Sequence, residues 1–218
     1  MSTFRDKYFA LPGDMTNAVI FWGAADGGDG LGLDCYETDS TGLKTTCNGN
    51  GDGIVTSSST LVGNEKFRFW QHLANAGLIE GSYSGRAAVT TGAANRSVGI
   101  QMAGRIPLSK ISGGAYDIEG IGTALGYAWA WDGYYGTTIY FGASDQEGAI
   151  GDLLEGAIIT PADQWNIDTK MDDGKPSYGK IRAYQNSVNC NTNVSQATAA
   201  YRVDVTDKVC FIMYSTGY

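Results

Sequence analysis

The stretch from 23 to 62 constrains this chain most, because it is rich in glycine and polar residues and carries neither helical nor alternating apolar periodicity. A compact domain keeps an irregular segment of that length when the segment is functional or is stapled in place. Two features inside it fit that demand. Cys35 and Cys47 lie close enough in sequence to bridge. Directly after them, residues 47–54 read Cys-Asn-Gly-Asn-Gly-Asp-Gly-Ile. Asn48, Asn50 and Asp52 place oxygen-bearing side chains at the first, third and fifth positions of an EF-hand-like loop; Gly53 supplies the turn, and Ile54 a carbonyl at the seventh. Short oxygen ligands on a tight coil converge on one point, as a hard cation requires. The twelfth position is Ser59 rather than Glu, so the spacing points to Ca2+ in a chain that is not an EF-hand protein. The alternative is a glycine-rich turn held by Asx bonding. Residues 27–34 resemble one glycine–aspartate calcium turn, a device that works in stacks. Asp26, Asp29 and Asp34 are further candidate oxygens there.

The cysteines form two local pairs, Cys35/Cys47 and Cys190/Cys210. Neither spacing is a zinc pattern and no histidine lies near either pair, so two disulfides are expected, with four free buried thiols as the alternative. Each bridge would contribute roughly 3 kcal/mol in the chain-entropy picture, and disulfides imply export. Residues 1–10 are charged and too short for a secretory h-region, so an upstream segment is expected. No run is apolar enough to span a membrane. The net charge of −8 and pI of about 4.5 exclude a nucleic-acid partner, which needs a basic stripe.

At 218 residues and 43% hydrophobic content the chain is expected to form one domain, 1–218, with a real core. Residues 2–9 read as the tail of a helix that Pro12-Gly13 ends. Asp14 is placed to cap a second helix running to Trp22, with Met15, Ala18, Val19 and Trp22 at helical spacing. Asn64 caps a third over 65–79, whose apolar face is Phe67, Trp70, Leu73, Ala74, Leu78 and Ile79. A fourth opens at Pro161 after Thr160 and runs to about Lys170. Strands are expected at 98–106, 114–121, 124–131, 137–143, 179–185, 200–205 and 208–214. Helices first and antiparallel strands later, with one late helix, indicate α+β.

Several segments taken in order resemble one family. They are Lys7-Tyr8-Phe9-Ala10-Leu11-Pro12-Gly13-Asp14-Met15, Asn17-Ala18, Phe21-Trp22-Gly23, the Asn48–Gly53 loop and Glu65. Trp70-Gln71-His72-Leu73, residues 76–81 (Ala-Gly-Leu-Ile-Glu-Gly) and residues 165–176 (Trp-Asn-Ile-Asp-Thr-Lys-Met-Asp-Asp-Gly-Lys-Pro) follow. The set is similar to type IV pilin-like and type II secretion pseudopilin-like proteins of the prepilin-type N-terminal methylation family. It covers most of 4–81 and 160–184, and 85–155 match nothing in the family. The resemblance implies a pilin-like α+β fold, with the N-terminal helix and a helical and loop region packed on an antiparallel sheet. It implies that 1–12 end a longer apolar helix missing from this sequence, through which the precursor is anchored in the inner membrane. It implies other pilin or pseudopilin subunits as partners, and a bacterial filament on the periplasmic face of the inner membrane or at the cell surface. This sequence lacks the leader, the cleavage site and the apolar half.

Within that frame Glu65 is the remote ligand expected to close the Asn48–Ile54 site, with the affinity of an extracellular module, on the order of 10⁻⁴–10⁻³ M. Asp168, Asp172 and Asp173 form a second acidic group; Asp168 and Asp172 would share a helix face and repel. A cation would relieve them, and a capped turn ending at Gly174 is the plainer reading. His72, the one histidine, lies away from the apolar face of its helix and is expected to be exposed or internally satisfied. Residues 81–85 (Gly-Ser-Tyr-Ser-Gly) misplace their serines for a nucleophile elbow, and no phosphate loop is present, so no enzyme activity is expected. Tyr127, Trp129 and Trp131 alternate onto one face of a strand. Exposed, they would make a sugar-binding or adhesin-type module instead; buried, they are core.

Overall fold

The computed structural model describes residues 2–25, 30, 44–56, 65–85, 104–126, 129–143, 154–187 and 189–217. Asp26, Asp29, Asp34, Cys35, Ser59, Asn64, Tyr127 and most of the expected 98–106 strand lie outside them. The architecture is α+β, with helices α1 (Ser2–Tyr8), α2 (Ala18–Trp22), α3 (Glu65–Asn75) and α4 (Pro161–Met171). Strands β1 (Gly114–Ala124), β2 (Gly133–Ala143), β3 (Ile181–Arg182) and β4 (Ile212–Ser215) form an antiparallel sheet in the order β1-β2-β4-β3. No described helix is long and apolar enough to cross a membrane. The described residues group into two compact units: one holds those up to Leu108 with Asp117–Glu119, the other holds Ser109–Tyr116, 120–143 and 154 onward.

In the first unit α1 buries Phe4 and Tyr8, and Phe4, Tyr8 and Trp22 form an aromatic cluster with neighbouring centroids 4.5 and 5.3 Å apart. α2 is shorter than its spacing suggests. Asp14 does not cap it; the amide of Val19 in its first turn is taken by Asn48 Oδ1, 3.2 Å away, from the distant loop. The centre of the unit is α3. Of the expected apolar face Phe67, Trp70 and Leu73 are buried and Ala74 is half-buried. The helix ends at Asn75 rather than 79, where the chain turns at Gly77 and leaves Leu78 exposed and Ile79 half-buried. Glu65, Lys66, Arg68, Gln71 and His72 are buried as well. Buried polar side chains must find partners, and these find them on other segments, so the helix holds several loops at once. Gly13, at φ 85°, lies against the backbone of Glu65, where a Cβ would collide with its carbonyl.

In the second unit β2 pairs with β4 from Thr138↔Ser215 to Phe141↔Ile212, and β3 with β4 at Ile181↔Tyr214 and Arg182↔Met213. An isolated bridge, Ile159↔Cys210, lies just before α4. The core joins Ile158, Ile159, Ile181, Ala183, Tyr201 and Ile212 to the Cys190–Cys210 disulfide. Cys47 is also disulfide-bonded. α4 begins as its sequence dictates: Pro161 stands at its start and Thr160 Oγ1 accepts from Asp163 N at 3.1 Å. The expected strand at 124–131 is not formed at its described end. β1 stops at Ala124, Gly126 adopts φ 69° and donates to Asp132 Oδ1 at 2.7 Å, and residues 129–132 turn into β2. The 200–205 segment is likewise a turn, with a single bridge at Tyr201.

Candidate cation sites

Asp14, Asp52 and Glu65 bring three carboxylates together, with one oxygen of each within 4.8 Å of the others. Three different parts of the chain supply them: the turn after Pro12, the glycine-rich loop and the first residue of α3. Asp14 and Glu65 are buried, 4% and 0% exposed, and Asp52 is exposed. The loop wraps its amides onto the two buried groups. Asp14 accepts from Gly51 N (2.6 Å), Asp52 N (3.1 Å) and Gly53 N (2.9 Å). Glu65 Oε1 accepts from Asn50 N (2.8 Å), and Oε2 from the amide and hydroxyl of Thr56 (3.1 and 3.3 Å). Asn50 Nδ2 donates to Asp52 Oδ2 at 3.0 Å.

Burial opposes charge on these groups. It drives the Glu65 carboxyl up to about 7 and raises Asp14 as well; the loop amides pull both back, and the neighbouring carboxylates push both further up. Arg68, one turn along α3, is the cation coupled to Glu65, but its Nη1 donates to Asn48 O at 2.6 Å. Two oxygens bound to one Ca2+ at about 2.4 Å each lie at most about 4.8 Å apart. The donor set therefore suits a hard, oxygen-seeking cation.

Of the ligands named from sequence, Asp52 and Glu65 meet, and Asn50 lies against Asp52. Asn48 does not join them: its side-chain oxygen accepts from Val19 N, on α2. Ile54 donates its amide to Asp52 Oδ1 at 2.9 Å. Asp14 is the member of this carboxylate cluster that sequence reasoning did not name. Its local context looks like a helix cap, and its true partners lie 37–39 residues away.

Asp168, Asp172 and Asp173 form the second cluster, again with one oxygen each within 4.8 Å. Each has a structural task in the fold. Asp168 is fully buried and accepts from Gly174 N (3.0 Å) and Tyr201 Oη (2.7 Å). Asp172, at the C-cap of α4, accepts from the amides of Lys180 and Ile181. Asp173 accepts from Lys175 N at 2.9 Å. Burial raises Asp168 to about 6, against the pull of the Tyr201 hydroxyl and the Gly174 amide. The capped turn ending at Gly174 is thus present together with the cluster.

Of the two expectations for His72, the internally satisfied one holds: the ring is fully buried and both nitrogens have partners. Gly13 N–H donates to Nδ1 at 3.0 Å, so Nδ1 carries no proton and Nε2 does. Nε2 lies 3.0 Å from Thr46 Oγ1, which donates to Gln71 Oε1 at 2.6 Å. Burial, with Arg68 nearby, holds the imidazole down at about 3, so it stays neutral and structural. No serine hydroxyl is paired with it among the described residues. Trp131 is fully buried, its Nε1 donating to Ala183 O at 2.8 Å, and Trp129 is half-buried. Trp131 is therefore removed from any exposed aromatic platform. No family model, curated protein or solved structure matches the chain.

Proposed function

We propose that this chain is the globular domain of an exported structural subunit, pilin-like or pseudopilin-like, whose long loop is pinned by Ca2+ and disulfides, and that it is not an enzyme. The observation that carries the reading is the Asp14–Asp52–Glu65 cluster. It joins the glycine-rich loop to the N-terminal turn and to the central helix. Burial works against the charge of Asp14 and of Glu65, to which Arg68 is coupled, so that further positive charge there would offset it. Ca2+ held there by Asp14, Asp52 and Glu65, with Asn50 at the rim, would supply that charge and fix the loop. A surface loop fixed in one shape suits a subunit that must repeat the same contacts with its neighbours. The ordered resemblance of 4–81 and 160–184 to pilin-type proteins supports the same class, and the disulfide-bonded cysteines fit an exported chain. The membrane anchor and filament partners follow from the resemblance.

The test is fractionation of the cells that make the protein. It should appear in sheared surface filaments or in the inner-membrane fraction, and inactivating the prepilin peptidase should leave it unprocessed. Recovery as a free secreted protein, unaffected by loss of the peptidase, would overturn the filament reading.

A further inference from the structure

We propose that Lys66 and Asp117 form an intramolecular isopeptide bond, a covalent modification that joins α3 to β1 within the first unit. Lys66 Nζ lies 2.8 Å from Asp117 Oδ2, and the two side chains are 1% and 0% exposed. The Phe67 ring sits 5.4 Å from the ammonium nitrogen. Asp117 Oδ1 accepts from Ile118 N at 2.9 Å. By contrast, the pair Arg202–Asp204 is open to solvent at 36% and 72%.

A buried pair of opposite charges carries a large desolvation cost. Passing one proton along the Lys66–Asp117 hydrogen bond leaves a neutral amine facing a neutral carboxyl, which is a nucleophile in contact with an electrophile. Nζ then attacks Cγ of Asp117. Negative charge develops on Oδ1, where the Ile118 amide already points. A proton moves from Nζ to Oδ2, the Cγ–Oδ2 bond breaks and one water leaves. The balance is ammonium plus carboxylate giving secondary amide plus water, with no oxidant or other reactant. Contact held in a folded core acts like an effective concentration on the order of 10⁵ M, and exclusion of solvent disfavours the reverse hydrolysis. Glu119, two residues along β1 and therefore on the same strand face as Asp117, has a buried carboxylate oxygen. It is the candidate carrier of the proton between Nζ and the departing oxygen.

The bond is independent of any metal and of the filament reading. Its test is the intact mass of the purified full chain, reduced and denatured. The expected result is a mass short by one water, a branched tryptic peptide containing Lys66 and Asp117, and no cleavage after Lys66. Lys66→Met and Asp117→Ala should each restore the full mass. Glu119→Gln should leave a mixture of joined and open chains, and complete joining at the wild-type rate would remove Glu119 from the reaction. A wild-type chain of full mass, cleaved normally after Lys66, overturns the proposal. So does a missing water that maps to a cyclic imide at an Asp-Gly step such as Asp52-Gly53 while the Lys66 peptide stays linear.

Discussion

The two acidic clusters have the same composition on paper, three carboxylates within reach of one ion, but they do opposite work in the fold. In the first, the residues come from positions 14, 52 and 65 and meet only because the chain has folded. In the second they lie within one helix end, from 168 to 173. The buried acceptors of the first gather amides from a remote loop, whereas Asp168 and the exposed Asp173 of the second take amides from the turn beside their own helix, and the one remote group Asp168 holds is the Tyr201 hydroxyl. Neutralising charge in the first should therefore act on the tertiary placement of the loop. Neutralising it in the second should act on the end of α4.

The largest expected effect comes from Asp14→Ala. It removes the acceptor of three backbone amides, Gly51, Asp52 and Gly53, and leaves part of the loop without partners. Bonds to a charged acceptor contribute about 1.5–3 kcal/mol, so a loss of about 3 kcal/mol is expected in urea unfolding. Any Ca2+-dependent stabilisation should vanish with it. A loss below about 1 kcal/mol would place the loop's anchorage elsewhere and erase the contrast with the 168–173 cluster.

That contrast also marks where sequence was readable. α4 was legible because its signals are local: Thr160, Pro161 and the residues just after them act within one turn. The existence of α3 was legible from its apolar spacing. Its burial on all sides was not, because the partners of Glu65, Lys66, Gln71 and His72 lie at Asn50, Asp117, Thr46 and Gly13. Periodicity reports which face is apolar and says nothing about a polar face that finds buried partners. Asp14 failed for the same reason: a carboxylate before an apolar run looks like a cap, and only the fold reveals that it serves the loop. At Trp131 alternation misled, because Gly126 and Asp132 turn the chain before the strand can continue.

Next in size is the response to Ca2+. With a dissociation constant on the order of 10⁻⁴–10⁻³ M, a ligand at 10 mM stabilises the folded state by about 1.4–2.7 kcal/mol. The rise in melting temperature on adding Ca2+ should be lost in Glu65→Gln and kept in Asp168→Asn; the reverse pattern would move the ion to the second cluster. Acidity separates the clusters further. Metal binds the ionised carboxylate and competes with the proton, so affinity at Glu65 should fall as pH drops below about 7. An ion at Asp168 would hold until about 6. Calorimetric titration at pH 7.5 and 6.5 should show the weakening at the higher threshold.

The smallest effect is the most local. The Asp168 pKa is raised on folding from 3.8 to about 6, so the folded state holds a proton that the unfolded chain has released. Between those values stability falls as pH rises, because the unfolded state binds fewer protons there. Asp168→Asn mimics the protonated carboxyl while keeping an oxygen for the Tyr201 hydroxyl. In chelator, the variant and the wild type should match below pH 3.8, and the variant should gain on the wild type through pH 6. The rise sets a ceiling of about 3 kcal/mol on the advantage above that, and the weaker bonds a neutral amide makes to the Tyr201 hydroxyl and the Gly174 amide bring it nearer about 1 kcal/mol, read from urea midpoints. Ca2+ should leave the advantage unchanged if the ion sits at Asp14, Asp52 and Glu65. If Ca2+ instead cancels it, a cation is neutralising Asp168 directly, and the second cluster is a metal site as well as a helix end.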